Sequence, residues 1–112
     1  MKKDNYKCHA AIQAALGVIG SKWKPLILWH LLERTMRFSE LEKSIVEISQ
    51  KMLASELRSL ESDGIIRRRV YPQIPPKVEY TVTAYGLTLS PVLEKMADWG
   101  NNHRAEQYKN IK

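Results

Sequence analysis

The 112-residue chain has a single cysteine, Cys8. That excludes an intrachain disulfide and any zinc site built on paired cysteines, and it suits a reducing compartment. Glycine is scarce as well, with five residues, and none of them forms a glycine-rich loop of the kind that cradles phosphates. Long apolar runs are missing: the longest, Pro25 to Leu32, contains Trp29 and His30 and falls far short of the ~20 residues of a membrane span. The first residues, Met1 to Lys7, are polar, with no apolar stretch behind them long enough for a signal peptide. A cytoplasmic protein without a membrane partner is the expectation. His9, His30 and His103 are far apart, and no pair of them shares a helix face with a carboxylate to make a metal ligand set. No nucleophile elbow or zinc-hydrolase motif is present, and the acidic residues are scattered beside Lys and Arg. The chain is therefore expected to have no catalytic residue, no metal and no cofactor, and not to be an enzyme.

What is present is an ordinary globular mixture with a basic balance. Lys and Arg number 18 against 12 Asp and Glu, a formal net charge of +6, which suits a polyanionic partner such as nucleic acid. A chain of this length buries roughly two thirds of the surface it exposes when unfolded, enough for a core without staples. With no repeat and no Gly/Ser linker, residues 1–112 are expected to form one domain.

Hydrophobic spacing predicts a first helix over about 8–19, with Ile12, Leu16 and Ile19 in phase. Ser21 is placed to cap a second helix with Pro25 in its first turn, where a missing N–H costs little. That helix, with Leu26, Ile27, Trp29, Leu31 and Leu32, is dense enough to be buried on most sides. Phe38, Leu41 and Ile45 mark a short third helix. Ser49 opens a fourth, Gln50 to Ser62, that ends at Gly64 and carries the stripe Leu53, Leu57 and Leu60. The rhythm then changes to period two: Ile65 to Tyr71 and Val78 to Thr83 read as strands around a proline-rich tip. Thr83 is a plausible cap for a final helix with the stripe Leu89, Val92, Leu93, Met96 and Trp99, in which Pro91 is expected to make a bend. The fold class is thus mainly α with a small β-hairpin (α+β). A helix-turn-helix at about 38–63 followed by a hairpin at about 65–83 is a winged helix-turn-helix, here with extra N- and C-terminal helices at about 8–19 and 84–109.

Two elements carry recognition chemistry. In the fourth helix Lys51, Ser55 and Arg58 lie on the face that the leucine stripe leaves free, with Ser49 capping its first turn. Such a helix fits the DNA major groove, where Gln50 and Arg58 have the hydrogen-bonding groups to read base edges; a solvated amphipathic face would look the same. The hairpin adds Arg67, Arg68 and Arg69, with Lys77 after its tip and no acidic residue from Gly64 through Val78. Alternation puts Arg67 and Arg69 on one face and Arg68 on the other, where its stem can lie along the core rim. Arg67, Arg69 and Lys77 suit phosphates or the minor groove, although basic residues also protect a strand edge from aggregation.

Three segments, Ile19-Gly20-Ser21-Lys22-Trp23-Lys24, Ile48-Ser49-Gln50-Lys51-Met52-Leu53, and Val70-Tyr71-Pro72 with Pro75-Pro76-Lys77-Val78-Glu79-Tyr80, resemble the HxlR-type winged-helix transcription regulators of bacteria, relatives of the MarR type. The likeness runs from about Cys8 to Gly100. It implies a homodimer on pseudo-palindromic operator DNA, held by its terminal helices, with Ser49, Gln50 and Lys51 opening the recognition helix. Independently, Val92, Met96 and Trp99 would leave an exposed apolar patch in a monomer unless the last helix folded back on its own core; the residues alone leave both open.

Cys8 lies near the start of the first helix between Lys7 and His9, surroundings that favour a thiolate. The resemblance implies a redox-sensing role toward a small oxidant or electrophile, since members of the family use a cysteine at this place. They commonly have proline after it, where this chain has His9. An inert, half-buried cysteine is the other reading. The function expected is a sequence-specific regulator, with repression the usual sense. A small-molecule-responsive or non-sensing regulator of the same fold, or a winged-helix protein-interaction module, are the alternatives.

Overall fold

The structure, a computed structural model, describes residues 5–111 and the side chains of residues 5–109; Met1 to Asp4 and Lys112 of the expected domain lie outside the described residues. Five α-helices and three strands follow one another as α1 (Asn5–Ile19), α2 (Lys24–Glu33), β1 (Met36–Arg37), α3 (Phe38–Ser44), α4 (Gln50–Ser62), β2 (Ile66–Tyr71), β3 (Lys77–Val82) and α5 (Ser90–Ile111). A short 3-10 turn, Gly86–Leu89, leads into α5. The sheet is antiparallel in the order β1-β3-β2. This is a winged helix: α3 and α4 form the helix-turn-helix, and β2 and β3 form the wing.

Local chemistry sets most of these boundaries. The Ser21 hydroxyl accepts hydrogen bonds from the backbone N–H of Trp23 (3.3 Å) and Lys24 (2.9 Å), starting α2 with Pro25 in its first turn. The Ser49 hydroxyl accepts from Met52 N–H at 3.0 Å and caps α4. That helix stops at Gly64, whose φ of +75° is the left-handed conformation glycine adopts without penalty. Ile65 N–H then closes the end by bonding to the Leu60 carbonyl at 3.0 Å.

The core is one cluster. It joins Ile27, Leu28 and Leu31 of α2, Leu41 of α3, Leu53, Leu57 and Leu60 of α4, Met36, Ile66 and Tyr80 of the sheet, and Leu93 of α5. Burying the α4 stripe in this way turns the opposite face of α4 outward. Lys24 at the start of α2 reaches Glu56 of α4 at 3.7 Å, with both side chains only 12% exposed, and so ties the two helices together.

Three expectations are corrected. The last helix is not bent within its length by Pro91: α5 begins at Ser90, so Pro91 sits in its first turn, where no helical N–H is needed. Thr83 caps the 3-10 turn rather than a long helix, its hydroxyl accepting from Gly86 N–H at 2.9 Å and donating to the Gly64 carbonyl at 2.7 Å. The second helix is not buried on most sides, because Leu26 and Trp29 stay exposed while Ile27, Leu28 and Leu31 fill the core. The structure also adds a strand. Residues Met36–Arg37 pair with Tyr80 and Glu79 of β3 and close the sheet on the side away from β2.

Candidate nucleic-acid interface

The exposed face of α4 is built by its own buried stripe. With Leu53, Leu57 and Leu60 packed inward, Gln50, Lys51, Ser55 and Arg58 all stand exposed on one helix, together with the capping residue Ser49. Their spacing of one to four residues keeps them along one side of the helix over about two turns. Among the described residues neither Lys51 nor Arg58 is within ion-pair distance of a carboxylate. Their donors are therefore available to an external acceptor.

The wing presents two different faces. In the ladder Arg67 pairs with Thr81, Arg69 with Glu79 and Tyr71 with Lys77, so these six share the face turned away from the helices. Arg68, opposite Tyr80, takes the helix side. On the outer face Tyr71 is a hub: its hydroxyl donates to Glu79 Oε1 at 2.8 Å, and the Arg69 guanidinium and the Lys77 ammonium each stand 4.8 Å from its ring centroid. Lys77 also pairs with Glu79 at 3.5 Å and is half-buried, so its charge is partly satisfied within the wing. Arg37 of β1 lies beside Glu79 as well. The bond from Tyr71, and secondarily the Lys77 charge, hold the Glu79 carboxyl below the usual carboxylate range. The same bond pushes the Tyr71 phenol above its ordinary value.

The structure thus brings Ser49, Gln50, Lys51, Ser55 and Arg58 together on α4, and Arg67, Arg69 and Lys77 together on the wing. Cys8 stands apart, half-buried on α1 between exposed Lys7 and His9. The sequence reading missed Arg37, Tyr71 and Glu79 as parts of the wing surface. Alternation alone already puts Tyr71 in phase with Arg67 and Arg69, whereas Glu79 and Arg37 join them only through the pairing of β3 with β2 and β1.

Residues 18–108 match the HxlR-like helix-turn-helix family model. The chain belongs to the HxlR-like helix-turn-helix family. It is 48% identical over 103 residues to the HTH-type transcriptional regulator YtcD of Bacillus subtilis, covering 92% of this chain and 80% of that protein. To the B. subtilis regulator YdeP it is 47% identical over 93 residues, 83% of this chain and 73% of that protein. Among solved structures, the redox regulator HypR in its reduced form superposes with a TM-score of 0.84 at 41% identity, covering 88% of this chain and 98% of that one. As a member of this family the chain is a helix-turn-helix transcriptional regulator with a DNA-binding fold, not an enzyme. No helix among the described residues is long and apolar enough to cross a membrane.

Proposed function

We propose that this regulator binds a pseudo-palindromic operator as a homodimer in the bacterial cytoplasm, acting as a repressor. The observation that carries the DNA reading is the exposed row Gln50, Lys51, Ser55 and Arg58, capped by Ser49 and set on a helix whose other side is locked into the core. In this reading α4 enters the major groove, while Arg67, Arg69 and Lys77 contact the backbone or the minor groove.

The dimer reading rests on apolar surface that stands exposed among the described residues. Ile12 and Leu16 of α1, and Val92, Met96 and Trp99 of α5, are all exposed, and every residue from Asn101 to Lys109 is exposed too. A helix of 22 residues extends about 33 Å. A second copy covering α1 and α5 accounts for that surface and sets two recognition helices about 34 Å apart, one turn of DNA.

Cys8 supplies the sensing part of the proposal. It lies on α1, the helix proposed to hold the dimer, and similar structures include regulators solved in reduced and oxidised forms. Oxidation or alkylation of this thiol by a small oxidant or electrophile changes how α1 packs and hence the distance between recognition helices.

Fluorescence anisotropy of labelled duplex DNA across a salt series tests the function directly. Binding whose affinity falls steeply with salt is expected. A folded dimer with no affinity for duplex DNA would overturn the proposal in favour of a protein-interaction module.

A further inference from the structure

A cleft of about 340 Å³ separates α4 from the sheet, lined by Ala54, Leu57, Arg58 and Glu61 of the helix and by Arg68 and Tyr80 of the wing. Strand alternation puts Arg68 here: it faces Tyr80 in the ladder, on the opposite side from Arg67 and Arg69. Arg58 belongs at the same time to the exposed row of α4, so the cleft opens onto the surface that carries Lys51 and Ser55. Two arginines, Arg58 and Arg68, therefore line one recess with Ala54, Leu57, Glu61 and Tyr80.

Three cations of the fold are paired within it: Lys24 with Glu56, Arg34 with Glu40 and Lys77 with Glu79. Among the described residues neither Arg58 nor Arg68 is within ion-pair distance of a carboxylate, although Glu61 lines the same cleft. An anion placed in the recess between two guanidinium groups is attracted by both. The planar, forked donors of arginine match a phosphate in two-point geometry.

We infer that Arg58 and Arg68 together clamp one backbone phosphodiester of duplex DNA, at the place where the molecule passes from the recognition helix to the wing. The inference rests on the DNA-binding reading above and adds to it a phosphate site made jointly by two elements. Glu61 acts as the repulsive member of the site: its charge opposes an isolated phosphate, so the clamp closes only on a phosphate held by the rest of the duplex.

The test uses the full chain, reduced, with a labelled duplex of random sequence titrated over a salt series, and thermal melts to show that each variant is folded. Arg58→Gln and Arg68→Gln are each expected to weaken binding roughly tenfold near physiological salt. The double variant is expected to lose little more than either single one, with a salt slope lower by about 0.9, the contribution of one phosphate. Glu61→Gln is expected to tighten binding several-fold, and Lys22→Gln, which removes the same charge from the exposed turn between α1 and α2, to change nothing. Parental affinity and slope in Arg68→Gln would overturn the clamp, as would an equal loss in Lys22→Gln. Losses that simply add, with a slope lower by about two contacts, would show two independent sites and overturn the shared one. If the folded parent bound no duplex at all, the DNA reading itself would fall, and the clamp with it.

Discussion

The Tyr71 hydroxyl donates to the Glu79 carboxylate at 2.8 Å across the outer face of the wing. This one bond organises the wing's basic side chains. Arg69 and Lys77 stand over the same tyrosine ring, and Lys77 is tethered to the same carboxylate. The wing therefore presents its charge from a braced platform rather than from free side chains on a hairpin.

That bond makes stability depend on pH in a defined direction. The folded-state value of Glu79 is lowered, so its contribution is present above the ordinary unfolded carboxylate value, about 4.3, and is lost as pH falls through the folded value. For Tyr71 the value is raised, so its contribution holds below the ordinary phenol value, about 10, and is lost as pH rises through the folded one. The melting-temperature gap between the parent and Glu79→Gln is expected to be constant from about pH 6 to 9 and to shrink below about pH 4. A gap that persists unchanged at low pH would mean that the glutamate acts through packing alone.

Two substitutions probe the core that holds α4 in place. Leu57 is fully buried beneath α4, and Leu57→Ala is expected to cost about 2–5 kcal/mol in chemical denaturation. Gly86 has no room for a side chain: a Cβ there would collide with the Ile65 carbonyl oxygen and come within 2.7 Å of Val82 Cγ1. Gly86→Ala is expected to cost about 1–3 kcal/mol, and a neutral result would show that the turn shifts freely.

Much of this fold is legible in the residues, for reasons that can be named. Ser49 and Gly64 punctuate α4 on either side of a clean leucine stripe, so its limits follow from capping and spacing. Met36 and Arg37 make a strand too short to alternate, and only the pairing with Tyr80 and Glu79 reveals it. Apolar density in α2 marks burial without saying against what, which is why Leu26 and Trp29 were expected inside and stand outside. Pro91 is compatible with a kink or with a first turn, and the 3-10 turn before it selects the latter. At the candidate site, alternation separates Arg68 from Arg67 and Arg69, but the cleft it lines depends on where α4 packs. Lys77 reads as a free cation until the hairpin register brings it beside Glu79.

The dimer proposal places its strongest demand on Trp99, which is 67% exposed and stacked on His103 at 4.9 Å. Trp99→Asp combined with Met96→Asp is expected to turn a dimer into a folded monomer in sedimentation and to weaken DNA binding severely, because two half-sites are no longer held together. A dimer that survives both changes would place the interface elsewhere.

For Cys8 the sensing proposal predicts a parent whose DNA affinity changes after treatment with diamide or a quinone, and a Cys8→Ser variant whose affinity does not. Equal responses in both proteins would remove the cysteine from the mechanism, leaving a small-molecule effector or protein abundance as the control.

Selection from a random duplex pool with the fully reduced protein, near physiological salt, tests the central claim most directly. Enrichment of an inverted repeat with half-site centres about 10 base pairs apart is the predicted result, since it requires sequence reading and two-fold symmetry together. Recovery of DNA without any common sequence, or of a single unrepeated half-site, would contradict a dimeric operator-binding regulator.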